Sequence, residues 1–180
     1  MVKDYILIQF SLKEFDENQD NNDYRFQKYG MMIIIFFKKE KTMNTIILMP
    51  IFYMMLLTFS VAMLQTVIRY KAVNNGEHTP EEMFSIPLPL ESNDLVKRTD
   101  RNLTNLFEFP VLFYAACITC YVTGLTDPHF VNLGYAYVGL RFIHSAYHIG
   151  SNANQNLRGL VWLTSVGIQL WMWIRLAMMF

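Results

Sequence analysis

From Asn44 to Ile68 the chain runs for 25 residues without a charged side chain, NTIILMPIFYMMLLTFSVAMLQTVI. A helix needs about 20 apolar residues to cross the hydrocarbon of a bilayer, so this stretch is long enough to span one with some tilt. Lipid offers no partner to a bare backbone N–H or C=O, which excludes an open sheet, and the run lacks the alternation of a barrel strand. Pro50 sits near the start, where a missing N–H costs least. Arg69, Tyr70 and Lys71 follow, a basic and aromatic set suited to a membrane interface.

Composition agrees. Charged residues make up 17% of the chain, against about 25% in soluble domains. Residues 1–42 hold 14 of the 30 charges, which leaves 16 for the 138 residues from Met43 onward. The 15 basic and 15 acidic residues balance, so there is no excess of basic charge to form a nucleic-acid-binding face. The two cysteines, Cys117 and Cys120, cannot build a disulfide framework, and no paired C-x-x-C zinc pattern exists. Buried in an apolar span, they read as packing.

Residues 1–42 differ in kind. Glu14–Asp23 (EFDENQDNND) is too polar to fold alone, and Met31–Phe37 (MMIIIFF) is far too short to span. No small-residue cleavage site follows it. The expectation is an upstream extension or disordered tail, with the native domain covering 43–180. Three further spans are expected in that domain, at about 102–126, 130–149 and 157–180, with the polar residues 72–100 joining the first span to the second. Ile86–Leu90 (IPLPL) is expected to lie extended, because proline biases its predecessor away from helix. Short connections make the last three spans antiparallel neighbours. The fold class is therefore all-α, an integral membrane four-helix bundle.

Basic residues in short loops orient such a bundle. Arg69, Lys71, Lys97, Arg98 and Arg101 lie in or near the first loop and Arg158 ends the third, while the second loop has no Lys or Arg. Both basic loops share one side, which is expected to be cytoplasmic with both termini outside. Lys38, Lys39 and Lys41 of the tail oppose that orientation.

Ionisable residues inside spans are costly and face the bundle interior or a water-filled cavity. Arg101, Asn105 and Glu108 recur at i, i+4 and i+7 of the second span. Tyr137, Arg141, His144 and His148 recur at i, i+4, i+7 and i+11 of the third. Each set occupies one helical face. The two stripes are expected to face each other, with Glu108 pairing with Arg141 or Arg101 and Arg158 on the same side. Such a Glu–Arg pair is also simple glue between helices in many bundles. An arginine cluster favours an anionic ligand, and an arginine can stabilise a thiolate. His144 and His148 have the i, i+4 spacing of a metal pair, but the sequence lacks an H-E-x-x-H motif, and no metal site is assigned. The Trp and Met residues of the fourth span are expected to face lipid or lie at an interface. Gly134, Gly139, Gly159 and Gly167 are candidates for close helix approach.

Arg101-Asn-Leu-Thr-Asn105-Leu-Phe-Glu108-Phe-Pro110 resembles the R-x-x-x-N-x-x-E signature of the membrane-associated proteins in eicosanoid and glutathione metabolism, the MAPEG superfamily. Tyr137-Val-Gly-Leu-Arg141-Phe-Ile-His144-Ser-Ala-Tyr-His148, followed by Asn156-Leu-Arg158-Gly, is similar to the later spans of its bacterial branch. The resemblance covers about 43–180. It implies a homotrimer in a bacterial inner membrane, with glutathione bound as thiol co-substrate between subunits near the cytoplasmic face. By that resemblance Arg101, Asn105 and Glu108 hold the tripeptide, Arg141 and His144 lie beside it, and Arg158 stabilises its thiolate; Tyr137 and His148, on the same stripe as Arg141, complete the candidate binding set. Where this chain has His148 the family's enzymes usually carry a tyrosine, and the spacing to Arg158 differs. The implied function is glutathione binding, with transfer to, or peroxide reduction of, lipophilic small molecules arriving through the membrane lipids. The alternatives are a non-catalytic scaffold or lipid-binding trimer, and a small transporter using Glu108 and the histidines.

Overall fold

The computed structural model describes residues 44–84, 94–150 and 155–180, with Gly30 besides. Met43–Phe180 forms one compact unit. The expected tail, the IPLPL segment and most of the last loop lie outside the described residues.

Among the described residues six helices follow in order: α1 (Leu48–Asn74), α2 (Pro80–Phe84), α3 (Asp94–Glu108), α4 (Pro110–Thr123), α5 (Pro128–Ile149) and α6 (Gln155–Met178). Among the described residues three stretches are long and apolar enough to cross a membrane: Asn44–Asn74, Asp94–Thr123 and Gln155–Met178. Helix α5 falls short on apolarity. Its 22 residues reach about 33 Å, but its polar stripe lowers its hydropathy. That stripe is turned inward, so α5 packs among the other three long segments as the fourth member of the bundle.

Two boundaries depart from expectation. The first span continues through Arg69–Lys71 to Asn74, because Arg69 is paired inside the bundle rather than free at an interface. The second begins at Asp94, eight residues earlier than expected, and breaks at Phe109. Pro110 causes the break, since it has no N–H to donate to the preceding turn and its ring crowds that turn's carbonyl. Helix α6 meets the exposed backbone there. Gln169 Nε2 donates to the Phe109 carbonyl at 3.1 Å, and Trp173 Nε1 donates to the Leu112 carbonyl at 3.1 Å.

The core is apolar and shared by all four long segments. Met54, Leu57 and Val61 of α1 meet Phe113, Ala116, Cys117 and Cys120 of α4, Phe130, Tyr137 and Val138 of α5, and Met172 and Leu176 of α6. Both cysteines are buried and free. Phe113 and Tyr137 stack with centroids 4.4 Å apart. The outer surface is equally apolar: Phe52, Leu56, Phe59, Met63, Val111, Val122, Leu163 and Leu170 are exposed. A water-soluble bundle would not present so large an apolar surface, whereas lipid covers it without penalty. Of the four glycines considered for close approach, Gly134 alone has a neighbour within contact. A Cβ there would lie 3.1 Å from Pro50 Cγ, so α5 and α1 touch through the missing side chain, while Gly139, Gly159 and Gly167 face open space. Helix α6 also departs from a purely lipid-facing tryptophan and methionine set. Met172 is fully buried, Trp162 packs edge-on to Phe109, and Trp171 is exposed.

Polar clamps close both ends. At one end Asp100 accepts from Gln65 Nε2 at 2.7 Å and from Arg69 Nη2 at 2.5 Å, while Arg69 Nη1 donates to the Met83 carbonyl at 2.9 Å. Arg98 Nη1 caps the end of α5 on the carbonyls of Ile149 and Gly150, at 3.1 and 2.9 Å. At the other end Gly124 takes the left-handed conformation, φ 71°, that ends α4. Asp127 caps α5 through the Phe130 N–H at 2.7 Å and pairs with Arg175. Thr126 Oγ1 donates to Asn44 Oδ1 at 2.7 Å, and Asn44 Nδ2 donates to the Tyr121 carbonyl at 2.9 Å.

Asp127 gives this end a pH dependence. Burial pushes its carboxyl up, but the Phe130 N–H and the Arg175 guanidinium outweigh burial and hold it below its ordinary 3.8. A depressed folded value contributes stability that is present above the unfolded value and lost as pH falls through the folded one. Thermal melts of the detergent-solubilised protein should therefore fall below about pH 4. Asp127→Asn, which keeps a capping acceptor but no charge, should lower the neutral melting temperature and flatten the acid limb. An acid limb identical to that of wild type would assign the loss to other groups.

Candidate functional site

Beneath the end that Arg98 caps, the polar residues of α5 turn into the bundle. Tyr137 and Arg141 are fully buried, and His144 and His148 retain only 4% and 8% exposure. All four sit on one face of α5, and that face is turned inward, which makes α5 the most enclosed of the long helices. Arg141 is the centre. Its Nε donates to the Tyr137 hydroxyl at 3.1 Å and its Nη1 to Asn105 Oδ1 at 2.8 Å. Its guanidinium lies over the Tyr137 and Phe109 rings, 5.2 and 5.8 Å from their centroids. Its Nη2 is buried without a partner.

The expected ion pair is not formed. Among the described residues Glu108 makes no salt bridge with Arg141 or Arg101. The rotation of α3 explains this: Asn102 and Leu106 point inward, Asn105 is half-buried, and Arg101 and Glu108 lie on the outer surface. The two stripes therefore meet along one edge, through Asn105, instead of face to face. Arg158 is half-buried at the start of α6, and its carbonyl lies 3.4 Å from His144 Nδ1.

Four residues outside the two stripes belong to the same region. Asn102 is fully buried, and its Oδ1 accepts from Ser145 Oγ at 3.3 Å. Trp162 and Gln169 of α6 flank Phe109, and each has a buried polar atom without a partner. In the sequence Gln169 carried a signal, since a glutamine inside WLTSVGIQLWMW has no reason to face lipid. Asn102 carried none, being one residue off the stripe begun by Arg101.

A helical membrane bundle with an inward polar stripe, a buried arginine at its centre and arginines at one end defines the class of this protein. Residues 45–178 match the MAPEG family. The chain belongs to that family, a family of helical membrane proteins linked to glutathione and eicosanoid metabolism. No curated protein and no solved structure matches the chain.

Proposed function

We propose that this protein binds glutathione and uses it on lipophilic electrophiles or peroxides that reach the site from the bilayer. One observation carries the reading. Arg141 is a fully buried cation inside a membrane bundle, with two neutral hydrogen-bond acceptors, a free Nη2 and no carboxylate partner among the described residues. A buried charge without a counter-charge is costly unless an anion completes it. Glutathione brings two carboxylates and an ionisable thiol, and guanidinium groups fork onto carboxylates.

Arg101 and Glu108 fit the same reading from outside. Each is exposed on one subunit, and Glu108 lies midway along a membrane-crossing stretch, where a bare carboxylate facing lipid is expensive. A neighbouring copy would cover that surface, and a homotrimer would place Arg101, Asn105 and Glu108 in the groove between subunits with Arg141 beneath it. Arg101 and Arg141 would hold the carboxylates, Glu108 the amino group, and Arg158 the thiolate. By the positive-inside rule the end with Arg69, Lys97, Arg98, Arg101 and Arg158 faces the cytoplasm, as in a bacterial inner membrane.

Calorimetry on detergent-purified protein tests this. Wild type should bind glutathione, and Arg101→Ala should weaken it at least about tenfold, roughly 1.4 kcal/mol. A folded wild type that takes up no glutathione would overturn the reading.

A further inference from the structure

Among the described residues six buried polar atoms along one path lack a hydrogen-bond partner: His148 Nδ1, His144 Nε2, Asn102 Nδ2, Arg141 Nη2, Trp162 Nε1 and Gln169 Oε1. Their residues are linked to one another directly or through one shared neighbour. The rings of His148 and His144 have centroids 5.5 Å apart. Ser145, next to His144, bonds Asn102, and Asn105, one turn along α3, bonds Arg141. Arg141 lies over Phe109, whose ring meets Trp162 at 4.9 Å and whose carbonyl accepts from Gln169. On α5 the path runs from His148 to the level of Tyr137, about 16 Å at the helical rise. It begins beside Ile149 and Gly150, where the partly exposed Arg98 caps the helix.

Native proteins rarely leave a buried donor or acceptor unmet, and six in one connected run ask for a common partner. That partner must accept from the amide, guanidinium and indole N–H groups and donate to the glutamine carbonyl. Water does both: at Arg141 Nη2 it holds the place that a ligand carboxylate takes on binding, and at Gln169 Oε1, where an anion would be repelled, it donates.

His144 adds direction. A carbonyl only accepts, so the contact with the Arg158 carbonyl places the proton on Nδ1. In the neutral ring Nε2 is then a bare proton acceptor, buried in the path. We infer that the seam from Gln169 to His148 holds a chain of ordered water, which carries a proton from the interior of the subunit to the membrane face beside Arg98. The inference rests on the proposed function for the source of that proton, the glutathione thiol. When the thiol ionises, the S–H bond breaks and sulfur keeps the electron pair. The proton passes to a water and along the chain to His144 Nε2; that nitrogen returns it to the next water, His148 takes it up from there, and His148 releases it to a buffer base outside. The fixed charge of Arg158 favours the thiolate left behind.

Two measurements on the full chain in lipid nanodiscs test this. The first is hydroxyl-radical labelling by X-ray radiolysis, read by mass spectrometry and normalised to intrinsic side-chain reactivity. Met54 and Met172, fully buried in the apolar core, serve as dry references. Trp162 and His144 should be oxidised at least about fivefold faster than those references, because bound water generates the radical in place. Parity would overturn the hydrated seam. The second follows proton release into weakly buffered solution after mixing with glutathione. His148→Ala should slow release about tenfold, and imidazole added to the buffer should restore it, which a purely structural role would not allow. His148→Gln, which keeps polarity and similar bulk, should slow it as well. Release at the wild-type rate in both variants, or slowing that imidazole does not rescue, would overturn the relay. If calorimetry finds that wild type binds no glutathione, the proposed function falls and the thiol relay with it, while radiolysis still decides for or against the water chain.

Discussion

Arg141→Met should leave the bundle as stable as wild type or more so, while glutathione affinity falls at least about a hundredfold, roughly 2.7 kcal/mol. The two halves of that result separate a ligand site from helix glue. A buried cation without a carboxylate partner gains little from the fold and loses its hydration, and exchanging such groups for apolar side chains of similar volume is often neutral or stabilising. The substitution costs Asn105 Oδ1 and the Tyr137 hydroxyl one hydrogen bond each, but it strands no opposite charge. The guanidinium would be kept for binding, and binding is where its loss should register. Thermal melts and calorimetry on the same preparation check both halves. A variant that binds normally but melts early would make Arg141 structural.

Gly134→Leu should be the most damaging single change outside the polar region, lowering stability by about 3 kcal/mol. The added Cβ alone would lie 3.1 Å from Pro50 Cγ and 3.6 Å from Ile47 Cδ1. Pro50 is a rigid ring in a helix and cannot swing aside as a lysine end would, so α1 and α5 must separate. Gly134→Ala meets the same ring with one methyl and should cost less. Unfolding titrations of the solubilised protein would rank the two, and equal midpoints for wild type and the leucine variant would refute the contact.

Much of this arrangement was legible before any coordinates. Uncharged length marks a membrane helix almost alone, so the stretch from Asn44 reads as one, while the helix itself carries on through Arg69–Lys71 to Asn74. Spacing alone also put Tyr137, Arg141, His144 and His148 on one face, and the helix buries that face as a unit. Pairing was harder to read. Spacing gives a face but not the rotation of its helix, so Arg101 and Glu108 shared a stripe with Asn105 yet point outward, and Asn102 took the inward place. The rotation is set by Leu106, Val96 and Thr99 seeking the interior, a demand of the whole amphipathic helix rather than of three polar residues. Pro110 was visible, but the role of Gln169 and Trp173 in meeting the backbone it frees depends on a helix sixty residues away.

The enclosure of α5 bears on how the chain enters its membrane. A translocating helix is judged first by its partition between the insertion machinery and lipid, and a mid-helix arginine there weighs about 2.5 to 3.5 kcal/mol against entry. Arg141 adds that cost, with His144 and His148 beside it, to a helix that falls short of its neighbours as a membrane span. Against lipid alone α5 is a poor candidate. Against Asn105 and Asn102 of α3 and the facing side of α6 its polar groups find company. Its integration is therefore a collective event, completed as the flanking segments arrive, and the residues that equip the site also make this helix dependent on its neighbours from the moment of synthesis.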